Sequence, residues 1–508
     1  MSTYLTVLTA ASLLIAGLIF RGYKSCTKRA KEPPGPLSRF LVGNLYDIPT
    51  KDIHTEFARL AEKYGPVMMF TLPTSKMVVL STGKAASDLL EKQGSIFADR
   101  PEFPMMDLMG WSWDFALERY GALWRTHRRI TYRHLNTVAV QQYASVQTRL
   151  AHVLALSLLE APSQFLDHIR RSTAASVLEV TYGFEIQREN DPFAKIAEEA
   201  METVRRVMIP GKYAVDSIPA LKYIPGWLPG AQFKRDAMEW RKYSERLLKA
   251  PFARAKADMA CSLSSDCIVS TALAQDSTSE WENLVMESAG AFWGRYNCVY
   301  TNDFFSEMVR HPEMQSRAQD ELFKVVGHDR LPTLADRDSL PYIEAIIREL
   351  LRMYPVVPMG IPHRAQEDTW YDGMFIPRGT IVYANIWWGL AILHDLKVYE
   401  DPHVFNPDRY LKGGMIDASV PHPRSAVFGY GRRICPGMHF ADTNLYLIIA
   451  TTLACFDLSK VVENGVEIEP SGEFTHGFLS VPVPFRCTIQ PRSEHVKSLI
   501  DQVLNVEK

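Results

Sequence analysis

The chain has 508 residues, 47% of them hydrophobic and 22% charged, with a formal net charge of -2. That length exceeds most single domains, and the balance is that of a globular protein rather than a disordered one. The near-neutral charge lacks the basic excess typical of nucleic-acid binders, so no nucleic-acid partner is expected.

Tyr4 to Phe20 carries no charge and is mostly aliphatic, and Arg21, Lys24, Lys28, Arg29 and Lys31 follow it. Such a run is at the short end of what crosses a bilayer as a helix. A signal peptide needs its basic stretch before the apolar run, and here the first basic residue comes after it. Residues 1–20 are therefore expected to be an uncleaved transmembrane anchor that leaves everything beyond it cytosolic. The basic, proline-rich segment 21–36 ends in Pro33-Pro34-Gly35-Pro36, a stiff non-helical break. Residues 37–508 form the body.

In the body, Val67 to Leu72 and Met77 to Leu80 read as short strands around a turn at Pro73-Thr74. Helical patterns dominate from Tyr120 to Leu351. In Phe193 to Val207 the apolar residues Phe193, Ile196, Ala197, Ala200, Met201, Val204 and Val207 recur every three or four positions. Glu313 to Val326 shows a similar pattern. Strand-like pieces return at Met374 to Ala384 and Val481 to Gln490, with a final helix from Ala441. The expectation is one large, mainly α domain with small β-sheets.

The seven cysteines are odd in number and irregularly spaced, which does not suggest a disulfide framework. One is set apart by Phe428-Gly429-Tyr430-Gly431-Arg432-Arg433-Ile434-Cys435-Pro436-Gly437. Glycines let a backbone close around a sulfur, and Arg433 adds positive potential that favours a thiolate. The helix beginning near Met438 brings its positive end to the same place.

With these residues the sequence resembles the cytochrome P-450 superfamily, and more closely its fungal microsomal members acting in secondary metabolism. The likeness runs from the Pro-Gly hinge to about Arg492. It implies the cytochrome P-450 fold, and haem b with iron held by the axial thiolate of Cys435. Glu349-Leu350-Leu351-Arg352 matches the family's Glu-x-x-Arg, and Phe405-Asn406-Pro407-Asp408-Arg409 its Phe-x-Pro-x-Arg. By the resemblance, Glu349, Arg352 and Arg409 form a buried structural ion-pair network. Periodicity alone reads Glu349 and Arg352 as solvent-facing, opposite Ile343, Ile346, Ile347 and Leu350.

Trp124 and Arg128, four apart in Tyr120 to Arg129, share a helix face and are similar to the family's haem-propionate ligands. By position His363 and Arg433 join them, and Phe428 lies at the cofactor. Arg125, Arg129 and Arg432 are expected to give a positive face for an NADPH-cytochrome P-450 reductase, which supplies the electrons. The resemblance also implies the endoplasmic reticulum membrane, crossed once, with a cytosolic catalytic domain.

Two segments depart from the family. Counting back from Phe304 to Glu313, Trp293 to Asn297 falls where a small-residue segment, an acid and an alcohol are expected. Arg295 stands at the acid, Tyr296 and Asn297 at the alcohols, and no Asp-Thr pair occurs from Glu282 to Asp303. These three are candidate catalytic residues: Tyr296 to replace a hydroxyl, Asn297 to hold water, Arg295 to stabilise negative charge. The second departure is an apparent insertion at Trp388 to Leu390. By position, the substrate pocket draws on Phe103, Trp111, Phe292, Trp293, Val357, Met359, Phe474 and Phe478, a lining suited to a bulky apolar molecule.

Two functions follow. One is a monooxygenase that oxidises a hydrophobic natural-product intermediate. The other is a haem-thiolate enzyme catalysing a redox-neutral isomerisation, dehydration or cyclisation without the acid–alcohol pair.

Overall fold

The computed structural model describes residues 31–506, apart from 188–190, 210, 262–265, 295–298, 388–391 and 476. The expected anchor, Arg295, Tyr296 and Asn297, and the Trp388–Leu390 insertion lie outside the described residues. No helix among the described residues is long and apolar enough to cross a membrane.

The body is mainly helical, with five small sheets among the described residues. The largest sheet joins segments far apart in sequence. Val67–Thr71 pairs antiparallel with Lys76–Leu80, which pairs parallel with Ile381–Ala384, which pairs antiparallel with His363–Arg364. The Met374 to Ala384 piece is two strands, Met374–Ile376 and Ile381–Ala384. Pro377 lacks a ladder donor and Gly379 turns the chain at φ +86°. Val481 to Gln490 shrinks to the strand Thr488–Pro491, because Pro482 and Pro484 break the ladder.

The helix expected from Ala441 begins at Met438, directly after Pro436-Gly437, and runs to Cys455. It is not the last, since His495–Val506 follows. Thr443 to Leu453 are all buried. A helix apolar on every side belongs in the centre of a large body, and this one packs against Ala144–Glu160, Pro312–Val326 and Pro341–Met353. Asp191 starts Pro192–Val207 by accepting from the backbone N–H groups of Phe193 and Ala194, satisfying two donors that a helix start leaves open.

Two cores meet at the site. Ser279–Trp293 buries Val285, Ala289 and Trp293 beside Val177, Leu178, Ala200 and Leu247. Val299–Arg310 buries Phe304, Phe305 and Met308 beside Ile346, Ile347, Leu350, Ile448 and Ile449. A cavity of about 330 Å³ is lined by Ala291 and Phe292 of the first helix and Tyr300 and Thr301 of the second.

Candidate active site

Cys435 lies between a short 3-10 turn, Gly431–Arg433, and the helix Met438–Cys455. Its N–H donates to the Phe428 carbonyl at 2.7 Å. Gly431 sits at φ +54°, and a Cβ there would fall 2.3 Å from the Leu90 carbonyl oxygen. Only glycine fits that close approach. A Cβ on Gly437 would lie 3.9 Å from the Cys435 sulfur and 3.1 Å from the Phe292 ring. The loop thus holds the sulfur against the cavity, which Cys435, Phe428 and Gly437 line.

Cationic groups surround it. From helix Ala122–Leu135, Arg128 donates to the Ile434 carbonyl at 2.5 Å. Burial lowers its pKa, while the negative charge of Cys435 opposes that shift. Arg433 donates to the carbonyls of Ala98 at 2.6 Å and Glu118 at 2.8 Å. Its guanidinium lies 4.4 Å from the centre of the Trp124 ring. Burial brings the pKa of Arg433 down to about 10, so it stays charged at neutral pH. Among the described residues no carboxylate lies within ion-pair distance of Arg128 or Arg433. Arg128 is thus coupled to the sulfur, beside the Arg433 to which sequence reasoning gave that task.

His363 Nδ1 sits 2.8 Å from the Phe97 carbonyl. Burial, and then the nearby Arg100 charge, push its pKa well below the ordinary value. The ring is therefore neutral, with Nδ1–H donating and Nε2 left as an acceptor. Trp124, Arg128, His363, Arg433, Phe428 and Cys435 all line the one cavity. A sulfur facing an apolar chamber, with the half-buried Arg128 and buried Arg433 guanidiniums in no direct ion pair among the described residues, fits a planar ring that binds iron and carries carboxylates at its edge.

Behind the cavity, Arg352 and Glu349 pair at 2.7 Å with both side chains 0% exposed, and Arg409 Nε reaches Glu349 at 3.1 Å. Glu349 also accepts from the Asn406 N–H, and Arg352 donates to the carbonyls of Leu393 and Pro402. Periodicity misread these residues because Pro341–Met353 is covered on more than its apolar stripe: Glu349, Leu350, Leu351, Arg352 and Met353 are all buried.

The substrate-pocket set divides. Phe292, Val357 and Met359 line the main cavity. Trp111 and Phe478 line a neighbouring space of about 30 Å³. Phe103, Phe478 and Met359 line another of about 100 Å³. Trp293 and Phe474 are corrections. Consecutive helix residues point about 100° apart, so with Phe292 on the cavity Trp293 turns into the core at 0% exposed. Phe474 stacks on Tyr354 at 5.1 Å and meets the edge of Trp387 at 5.4 Å.

Sequence reasoning missed many lining residues, Arg100, Tyr300 and Thr301 among them. Arg100 donates to the Ile361 and Pro362 carbonyls and stands in no motif. Tyr300 and Thr301 line the cavity just beyond the counted acid–alcohol positions. The signal was an alcohol at Thr301 and an acid at Asp303, an order the family spacing does not look for.

The cytochrome P450 family model matches residues 33–489. A cytochrome P-450 monooxygenase of Armillaria gallica is 37% identical over 92% of this chain and 94% of its own length. Another, from Coprinopsis cinerea, is 36% identical over 96% and 95%. The tryptamine 4-monooxygenase of Psilocybe cyanescens is 33% identical over 96% and 99%. With likeness running from the proline-rich hinge into the last strand, the chain belongs to the cytochrome P-450 family and is a monooxygenase of that kind.

Proposed function

We propose that this enzyme oxidises a bulky, apolar secondary-metabolite intermediate, using haem b held by Cys435 and NADPH electrons from a flavin reductase. The observation that carries this is the one cavity shared by Cys435, the cations Arg128 and Arg433, and the apolar Phe292, Val357 and Met359. When bound, the haem activates dioxygen, and a thiolate ligand favours O–O cleavage. The chain's own residues do the rest. Arg128 and Arg433 neutralise the ring carboxylates and the Trp124 N–H helps orient them, while neutral His363, its Nδ1–H on the Phe97 carbonyl, stays a wall of the same cavity. Phe292, Val357 and Met359 exclude water and hold the substrate by contact.

Residues 1–20 anchor the protein in the endoplasmic reticulum membrane, 21–36 space it, and 37–508 form the cytosolic catalytic domain. Arg125, Arg129 and Arg432 are exposed. Arg432 donates to the Tyr120 hydroxyl at 2.6 Å while Arg125 lies 5.7 Å from that ring. This cluster offers an acidic reductase a positive face.

The test is the carbon monoxide difference spectrum of the reduced protein, expected to show the red-shifted band of thiolate-ligated haem. Product formation is then followed with and without NADPH and reductase. Turnover that persists without NADPH or oxygen would replace this reading with the redox-neutral one, which the lack of an acid–alcohol pair at 295–297 favours.

A further inference from the structure

The helix Val299–Arg310 carries an acid that none of the preceding roles uses. Asp303 is 1% exposed, and neither of its carboxyl oxygens has a hydrogen-bond partner. A buried carboxylate in that state is costly. It faces a second cavity of about 10 Å³, lined by Ser306, Glu307, Tyr354, Glu473 and Phe474 among others. That is room for about one water, and the walls offer the several polar partners a water needs.

Tyr300, Asp303 and Glu307 stand three and four residues apart, in one stripe along the helix. At the inner end Tyr300 lines the haem-side cavity and interacts electrostatically with both Asp303 and Cys435. At the outer end Glu307 accepts from the Tyr354 hydroxyl at 2.8 Å and from Arg310 at 3.1 Å. His311 Nε2 lies 3.3 Å from its other oxygen, and Arg310 and His311 are each about a third exposed or less, at 33% and 27%. The stripe thus leads from the surface to the reaction chamber.

We propose that Asp303, linked to Glu307 through one water, feeds protons by way of Tyr300 into the haem-side cavity. It stands in for the acid and alcohol missing at 295–297. Oxygenation with NADPH consumes two electrons and two protons per dioxygen, and one oxygen atom leaves as water. In each transfer the Asp303 carboxyl and the Tyr300 hydroxyl, not hydrogen-bonded to each other in the structure, first swing into contact; the Asp303 O–H bond then breaks as the Tyr300 oxygen gains that proton. The proton of Tyr300's own hydroxyl passes to the acceptor in the cavity. Asp303 is recharged from solvent through His311, Glu307 and the water.

Burial and the Glu307 charge raise the Asp303 pKa well above its ordinary value, which keeps a proton on it near neutrality. The groups facing it are Glu307 on its own helix, with Arg310 and His311 behind. Tyr354 faces it from beyond Pro341–Met353, Glu473 from the 470–474 segment, and Tyr300 on the inner side.

The relay rests on the haem-thiolate reading, so the carbon monoxide band of the native protein is measured first. Its absence sinks that reading. With the band present, the infrared difference between native protein and Asp303→Asn is expected to show the loss of one protonated-carboxyl band that shifts in D2O. Asp303→Asn and Tyr300→Phe are both expected to keep consuming NADPH. Product per NADPH falls about a hundredfold, the low end of a positioned acid's contribution, and hydrogen peroxide rises in its place. Persistence of the carboxyl band in Asp303→Asn, or unchanged coupling in either variant, overturns the relay alone. Should Asp303→Asn fail to fold, coupling in Tyr300→Phe decides.

Discussion

The loop under Cys435 and the start of the helix Val299–Arg310 border the same cavity and are built on opposite principles. In the loop, glycines close the backbone onto the sulfur, Arg128 ties to the Ile434 carbonyl, and Arg433 reaches across to Ala98 and Glu118. Positions are over-determined there, as suits a ligand that must hold one geometry. Along the helix, Asp303 is buried without a partner and Tyr300 is half-buried at the chamber wall. Groups that must gain and lose protons need such slack. On the proposed reading, one side fixes the cofactor and the other is free to be tailored to the reaction.

Substitutions on the two sides should therefore fail in different ways. The largest effect is expected from Cys435→Ala, which removes the proposed iron ligand: the red-shifted carbon monoxide band and all oxidation should disappear. Next comes Glu349→Gln, which leaves Arg352 buried with half its ion pair. A destabilisation of about 3–5 kcal/mol is expected in urea unfolding, with haem lost from the surviving protein. Retention of native stability would show that the triad is dispensable.

A smaller effect is set by pH. Burial depresses the His152 pKa to about 4. The unfolded chain takes up a proton as pH drops below about 6.5, and the folded one does so only nearer 4. Stability is therefore lost across that window as pH falls, by roughly 2 kcal/mol between pH 6.5 and 5. Urea midpoints across that range should fall less in His152→Leu than in the native chain. The mildest is Arg128→Ala, expected to weaken haem retention about tenfold, or ~1.4 kcal/mol, while leaving the unfolding of the haem-free chain nearly unchanged. An equal loss of haem-free stability would make Arg128 a packing residue instead.

How much was legible in the sequence follows from how local each feature is. The Cys435 loop is contiguous, and its glycines and arginines report directly on a backbone that must close around a sulfur. The helices Pro192–Val207 and Pro312–Val326 were legible because each buries a single stripe. Pro341–Met353 was not, since burial on further faces hides Glu349 and Arg352 against its periodicity. The pocket was the least legible. Trp293 and Phe292 are neighbours in sequence, yet the one turns into the core and the other onto the cavity. Arg100 reaches the cavity by bonding carbonyls some 260 residues away in sequence, a relation no local pattern encodes.

The parallel pairing of Lys76–Leu80 with Ile381–Ala384 carries a consequence for biogenesis. Leu80 meets Ala384 across more than half the chain, and the intervening residues supply most of the cavity wall. At typical synthesis rates, roughly 15–60 s separate the emergence of the two strands. Contacts of such separation form late. Cys435 itself emerges after both, so on the proposed reading haem waits for them, and a chain truncated before that loop lacks the proposed iron ligand.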